Sequence, residues 1–254
     1  MKAIPALLLS ALLLVTANAA LAKTITLDKD TKLVPQGWTV ADDIKFKKST
    51  TAMLNADGEL VKGTLASSTY LRPTGWRLLA NNYLYVETTP DIFPPRFFRP
   101  FPHRYGVVIP VDGHVRYKTN TLVTFAEDGT VLSGTIDNDV VLQLSDKAYG
   151  FVRFKNDTLL SFYPDGKVRS GVLAENTKLR PVGWHKNLTD EGNGFVEFKS
   201  GMRVTFDAAG LVTQGSLTKK TLWYNADGSS QELEAKAPIS FSEDGASVAG
   251  EESK

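Results

Sequence analysis

The chain has 254 residues, 42% hydrophobic and 22% charged, with 29 basic residues against 28 acidic ones. That composition supports a globular core, and so even a charge balance argues against nucleic acid or an anionic membrane surface as the main partner. With no cysteine in the chain, disulfides, thiolate metal sites and a lipidated cysteine anchor are excluded.

Residues 1–22 read as a secretory leader. Lys2 gives a short positive start, Ile4 to Val15 is almost wholly apolar, and Ala17, Ala19, Ala20 and Ala22 follow as small residues before Lys23. The pattern predicts a signal peptide cleaved after Ala22, because the apolar run is too short to span a bilayer comfortably. The mature chain then balances 28 basic residues against 28 acidic ones. Its expected location is the periplasm or the medium outside the cell, with no stable membrane insertion after cleavage and no nucleic-acid partner.

From Lys23 onward a short pattern recurs, clearest in FYPDGKVRSGVL at Phe162 to Leu173. Two glycines keep an offset of five at Gly58 and Gly63, Gly129 and Gly134, Gly166 and Gly171, Gly210 and Gly215, and Gly245 and Gly250. The first glycines of successive copies lie 71, 37, 44 and 35 residues apart, a period that marks a repeat array or a propeller. The first interval is about two periods, so one unit is expected to have been lost or overwritten there. Partial copies at Val111-Asp112-Gly113 and Asn225-Ala226-Asp227-Gly228 keep the turn without the second glycine.

Before each turn, Leu160 and Phe162, Val123 and Phe125, and Val204 and Phe206 alternate with polar residues, as a half-buried antiparallel strand does. Pro164-Asp165-Gly166 then suits a type I turn closed by a glycine bulge. Val168 and Leu173 are an odd number apart, and a bulge at Gly171 is expected to return Leu173 to the core. Further strands precede the hairpins at Tyr149 to Phe154 and Phe195 to Phe198, giving three or four short strands per unit. A second signature, Leu-x-Pro-x-Gly-Trp, ends at Trp38, Trp76 and Trp184. Its proline marks a strand end and a corner.

The Phe-x-x-Asp-Gly-x-Val-x-x-Gly-x-Leu hairpin resembles the MORN (membrane occupation and recognition nexus) type of repeat. The resemblance implies glycine-turned hairpins stacked into an elongated sheet. The same glycine spacing is similar to the hairpin of choline- or cell-wall-binding repeats. Neither resemblance carries over a binding residue.

The expected organisation is therefore a leader (1–22), β-repeats (23–88), an inserted loop (89–106), further repeats of the same domain (107–240) and an acidic tail (241–254). The fold class is all-β, an elongated twisted sheet or solenoid of hairpins, with a five- or six-bladed propeller as the alternative. The insert, TPDIFPPRFFRPFPHRYG, holds too much proline for a paired strand. Its aromatics and arginines are the types enriched at interaction hot spots, which makes Phe93, Arg96, Phe97, Phe98, Arg99, Phe101, His103, Arg104 and Tyr105 candidate partner-binding residues. The competing expectation is that these phenylalanines fold back as a lid on the sheet.

Nothing in the sequence spaces His103, His114 and His185 as metal ligands, and no nucleophile or phosphate-loop motif stands in context. No cofactor, metal or catalytic residue is expected. Asp57, Asp128, Asp165, Asp227 and Asp244 share one position, which turn formation explains. Trp38, Trp76 and Trp184 either offer stacking faces to a polysaccharide or plug seams between units, and seam packing is the expectation. These readings describe an exported, non-enzymatic envelope binding or scaffold protein for a protein or glycan partner. The alternatives are a self-assembling surface component and, behind it, a polysaccharide hydrolase with an unmarked acidic pair.

Overall fold

The computed structural model describes residues 23–38, 44–76, 114–144, 151–188 and 193–248. A single strand, β1 (Lys23–Thr26), precedes five units of four strands each. Unit 1 comprises β2 (Thr31–Lys32), β3 (Lys45–Phe46), β4 (Thr51–Leu54) and β5 (Leu60–Thr64). Unit 2 comprises β6 (Thr69–Leu71), β7 (Val115–Tyr117), β8 (Leu122–Phe125) and β9 (Val131–Thr135). Unit 3 follows with β10 (Val140–Gln143), β11 (Phe151–Phe154), β12 (Leu159–Phe162) and β13 (Val168–Val172). Unit 4 holds β14 (Thr177–Leu179), β15 (Val196–Phe198), β16 (Arg203–Phe206) and β17 (Val212–Ser216). Unit 5 holds β18 (Thr221–Tyr224), β19 (Ser230–Leu233), β20 (Pro238–Phe241) and β21 (Ala246–Val248).

In every unit the first two strands form a separate ribbon and the last two join a common antiparallel sheet. The sheet order is β1-β4-β5-β8-β9-β12-β13-β16-β17-β20-β21. At the usual strand spacing its ten intervals extend about 48 Å. One open sheet of eleven strands is the elongated hairpin array expected from the repeat, and it is not a set of separate propeller blades.

The ribbons double back over one face of this sheet, and the core lies between the two layers. Phe46, Tyr117, Phe154 and Phe198, each ending the second ribbon strand, are fully buried. They lie against Gly63, Gly134, Gly171 and Gly215, where an added Cβ would stand 2.9, 2.6, 2.4 and 2.6 Å from the ring of the same unit. That close approach is what the second glycine of the repeat provides. The bulge is two residues earlier than the sequence suggested: Ser161 pairs with Ser170 but Phe162 with Val168, leaving Arg169 unpaired. The same shift recurs in the hairpins of units 1, 2 and 4. Parity demanded a bulge, and it sits beside the turn because the glycine is needed under the ring.

The main turns follow the expected chemistry. Gly58, Gly129, Gly166 and Gly210 have φ of 81°, 80°, 90° and 84°, and each donates its N–H to the carbonyl three residues back. Between ribbon and sheet a second tight turn recurs. Ser49, Asn120, Asp157, Gly201 and Lys236 take positive φ there, and their N–H groups donate to the carbonyls of Leu27, Leu65, Ile136, Leu173 and Leu217.

Two further sequence expectations are corrected. No unit is missing between Gly58 and Gly129, because β5 pairs directly with β8. The extra length is an insertion inside the ribbon hairpin β6–β7. Phe241 does not begin a tail; β20 turns into β21, which closes the sheet. That last turn is also tighter than the others, with Ser242 N–H donating to Gly245 C=O. Residues 1–22 and 249–254, including Gly250, lie outside the described residues.

Tyr117 takes the place that phenylalanine holds in three other units, and its buried hydroxyl has no hydrogen-bond partner among the described residues. Burial pushes its ionisation well above the ordinary tyrosine range. An orphaned buried hydroxyl costs about 1–3 kcal/mol, so Tyr117→Phe is expected to raise unfolding stability by about 1 kcal/mol in urea titration. Gly171→Ala, which drives a methyl into the Phe154 ring, is expected to lower it by about 2 kcal/mol in the same titration.

Candidate functional site

The Leu-x-Pro-x-Gly-Trp corners lie in the ribbon hairpins of units 1, 2 and 4, and each does two structural jobs. First, it lays a short parallel bridge on its own unit: Pro35, Pro73 and Pro181 bridge Leu60, Val131 and Val212. In unit 1, Gln36 N–H donates to Leu60 C=O at 2.9 Å and Leu60 N–H to Val34 C=O at 2.7 Å. The chain then reverses through Gly37, Gly75 or Gly183, with φ of 75°, 78° and 76°, as the third residue of a type II turn requires. The tryptophan N–H closes the turn on the proline carbonyl.

Second, the corner straps the main turn of the following unit. Gln36 Nε2 donates to Phe125 C=O at 2.8 Å, and Trp38 Nε1 donates to Gly129 C=O at 2.7 Å. A Cβ on Gly129 would stand 2.4 Å from Trp38 Cδ1, and one on Gly75 would stand 2.5 Å from Gly166 Cα. From unit 4, Lys186 Nζ donates to Glu243 C=O at 2.6 Å. Trp38 is thus the seam residue expected, whereas the Trp184 ring lies against Arg180 and Gly194 of its own unit; all three tryptophans are half-buried and none enters the core. The tryptophan in the core is Trp223, packed edge-on to Phe241 at 5.2 Å.

Units 1 and 2 are the one adjacent pair in which both members carry the corner sequence. A cavity of about 470 Å³ opens between these two corners, lined by Gly37, Trp38, Tyr70, Leu71, Arg72, Trp76, His114 and residues 128–130. Tyr70 is 53% exposed on its wall. The Arg72 guanidinium lies over the Trp76 ring, 4.1 Å from its centroid. Asp128 Oδ1 accepts from the Thr130 N–H at 3.0 Å and from Thr130 Oγ1 at 2.6 Å. Thr74 Oγ1 and Thr130 Oγ1, 3.0 Å apart, share a further hydrogen bond behind the wall. The result is an aromatic-walled site rimmed by a cation, a carboxylate and an imidazole. Its size falls in the usual range for ligand pockets.

The nine candidate residues from Phe93 to Tyr105 lie in residues 77–113, outside the described residues. The residues flanking that stretch, Trp76 and His114, both line the cavity. His185 sits apart, beside Trp184 and 3.9 Å from Glu243 Oε2. Asp128, Asp165 and Asp227 serve their turns, while in unit 1 Asn55 Oδ1 accepts the N–H groups of Asp57 and Glu59 instead. Asp165 Oδ1 accepts from Lys167 N–H at 3.2 Å, and the Ser229 hydroxyl and N–H hold the Asp227 carboxyl below its ordinary range. Among the described residues no group of three histidine, cysteine or acidic side chains is placed to hold a metal ion. Tyr70 and Arg72 were not singled out from the sequence, although Arg72 stands inside a corner motif. Comparison with protein-family models, curated proteins and solved structures finds no match. The fold defines the class: an open array of antiparallel hairpins in two layers.

Trp38→Phe keeps a ring on the seam and removes the Nε1–H donor. Its expected cost is about 1 kcal/mol of unfolding stability, with faster amide exchange in residues 126–129, measured by urea titration and hydrogen exchange.

Proposed function

We propose that the chain is an exported, non-enzymatic binding or scaffold protein of the cell envelope that recognises a protein or glycan partner. The observation that carries this reading is the cavity between the first two corners, where Trp38, Trp76 and Tyr70 face a small polar rim. Large aromatics that stay half in water beside arginine are the side chains that anchor recognition. The leader-like residues 1–22 support export, and the MORN-like hairpins support a scaffold that offers a long regular surface.

A second reading, self-assembly, is favoured by the two sheet edges. β1 and β21 each pair on one side among the described residues. Because the antiparallel sheet has eleven strands, both edges run in the same direction. Antiparallel continuation that keeps the ribbon layers on one side therefore needs a two-fold pairing of like edges.

Both readings are tested with the mature chain. Immobilised protein is expected to retain a component of solubilised envelope, and the Trp38→Ala/Trp76→Ala double variant to lose it. Replacing Phe97, Phe98 and Phe101 by serine is expected to weaken retention without moving the melting temperature; a large fall in that temperature would instead make the insert a lid. Absence of retention, combined with concentration-dependent sedimentation of the protein alone, would favour self-assembly.

A further inference from the structure

We propose that the cavity takes a linear β-1,4-linked polysaccharide lying along the axis of the sheet, with one sugar ring stacked at Trp38 and another at Trp76. This rests on the binding reading above and gives its partner a chemical class. Each unit contributes two strands to the sheet, so equivalent points of adjacent units are about 9.6 Å apart. A β-1,4-linked chain turns over from one ring to the next and presents the same face once per disaccharide, a comparable length. Adjacent corners therefore have the spacing of alternate rings in such a chain.

The site is organised before any ligand arrives. Trp38 is held by its bond to the Gly129 carbonyl, and Trp76 has Arg72 against its ring, so little ring freedom is lost on binding. Sugar rings pair apolar C–H faces with a rim of hydroxyls. The aromatic walls match the faces, and Arg72, His114 and Asp128 match the rim. Asp128 Oδ2 has no partner among the described residues. An extended peptide would need a row of unpaired backbone groups. Here the nearby backbone is already bonded: Thr74 N–H to Val131 C=O, Val131 N–H to Arg72 C=O, and Gly129 N–H to Ala126 C=O.

The test is calorimetry on the mature chain with chitohexaose, cellohexaose and the α-linked maltohexaose. At least one of the two β-linked hexasaccharides is expected to bind, their contrast telling an amino-sugar backbone from a glucose one, and maltohexaose is not. Trp38→Ala and Trp76→Ala are each expected to weaken binding at least about tenfold. Phe151→Ala, 60% exposed on unit 3, is expected to leave it unchanged. If either tryptophan variant melts early, Tyr70→Ala removes an exposed ring from the same wall and is expected to weaken binding severalfold. Failure of both β-linked hexasaccharides, or binding indifferent to Trp38, Trp76 and Tyr70, overturns the proposal. Should the oligosaccharides fail while an envelope protein is still retained through Trp38 and Trp76, the polysaccharide is wrong and the broader binding reading stands.

Discussion

The structure depends on an aromatic ring laid on a glycine. In units 1 to 4 the ring that ends the ribbon rests on the second glycine of its own hairpin, which brings the two layers to packing distance. The same rings meet the next unit edge-on, Phe46 to Phe125 at 6.4 Å, Phe154 to Phe206 at 6.5 Å and Phe198 to Phe241 at 5.9 Å. One contact therefore holds layer to layer and unit to unit, which makes the array a chain of nearest-neighbour couplings. Its ends show what the contact replaces. Ile25 pairs with Ala52 as Gly63 pairs with Val123, so it holds the glycine position on the edge strand, where no preceding ring needs room. In unit 5 Leu233 stands where the ring would be, and Trp223 supplies the missing volume.

The corners make the second kind of coupling, at the tips. A corner spends its proline on its own unit and its glycine on the next turn, and in unit 1 its tryptophan as well. Unit 3 carries no corner sequence, and there the turn itself reaches forward: Tyr163 Oη donates to Phe206 C=O at 2.7 Å, and Lys167 Nζ donates to Ala208 C=O at 2.6 Å. A corner is thus one of two ways to tie successive turns, and its tryptophan adds a half-buried ring to the surface. Where two corners adjoin, a structural strap also becomes a cavity wall.

Among the described residues the far face of the sheet has no ribbon layer. Across it one row runs Thr24, Met53, Lys62, Thr124, Ser133, Ser161, Ser170, Thr205, Gln214, Ser240 and Ser247, each in register with the next. Short hydroxyl side chains dominate it, as suits a sheet with one dry face and one wet face. The buried apolar residues and the packing glycines lie on the ribbon side, and the half-buried corner tryptophans stand at the tips.

Strand alternation, the Asp-Gly turns and the five-residue glycine offset were legible in the sequence because each is a local demand. A pleat has period two, a tight turn needs positive φ, and Val168 and Leu173 can share a face only across a bulge. The corners at Trp38, Trp76 and Trp184 were legible for the same reason. Which strands would share a sheet was not. The long interval before Gly129 reads as a lost unit along the chain, whereas the pairing of β5 with β8 shows an insertion in a ribbon loop, since sheet neighbours are chosen by register and not by chain distance. The need for Gly171 was misplaced likewise, because the ring it accommodates, Phe154, arrives from the other layer. Nor could the chain alone bring Tyr70, Arg72, His114 and Asp128 around two tryptophans. Only the stacking of one unit on the next, which places side chains from four separate segments along one seam, makes that site.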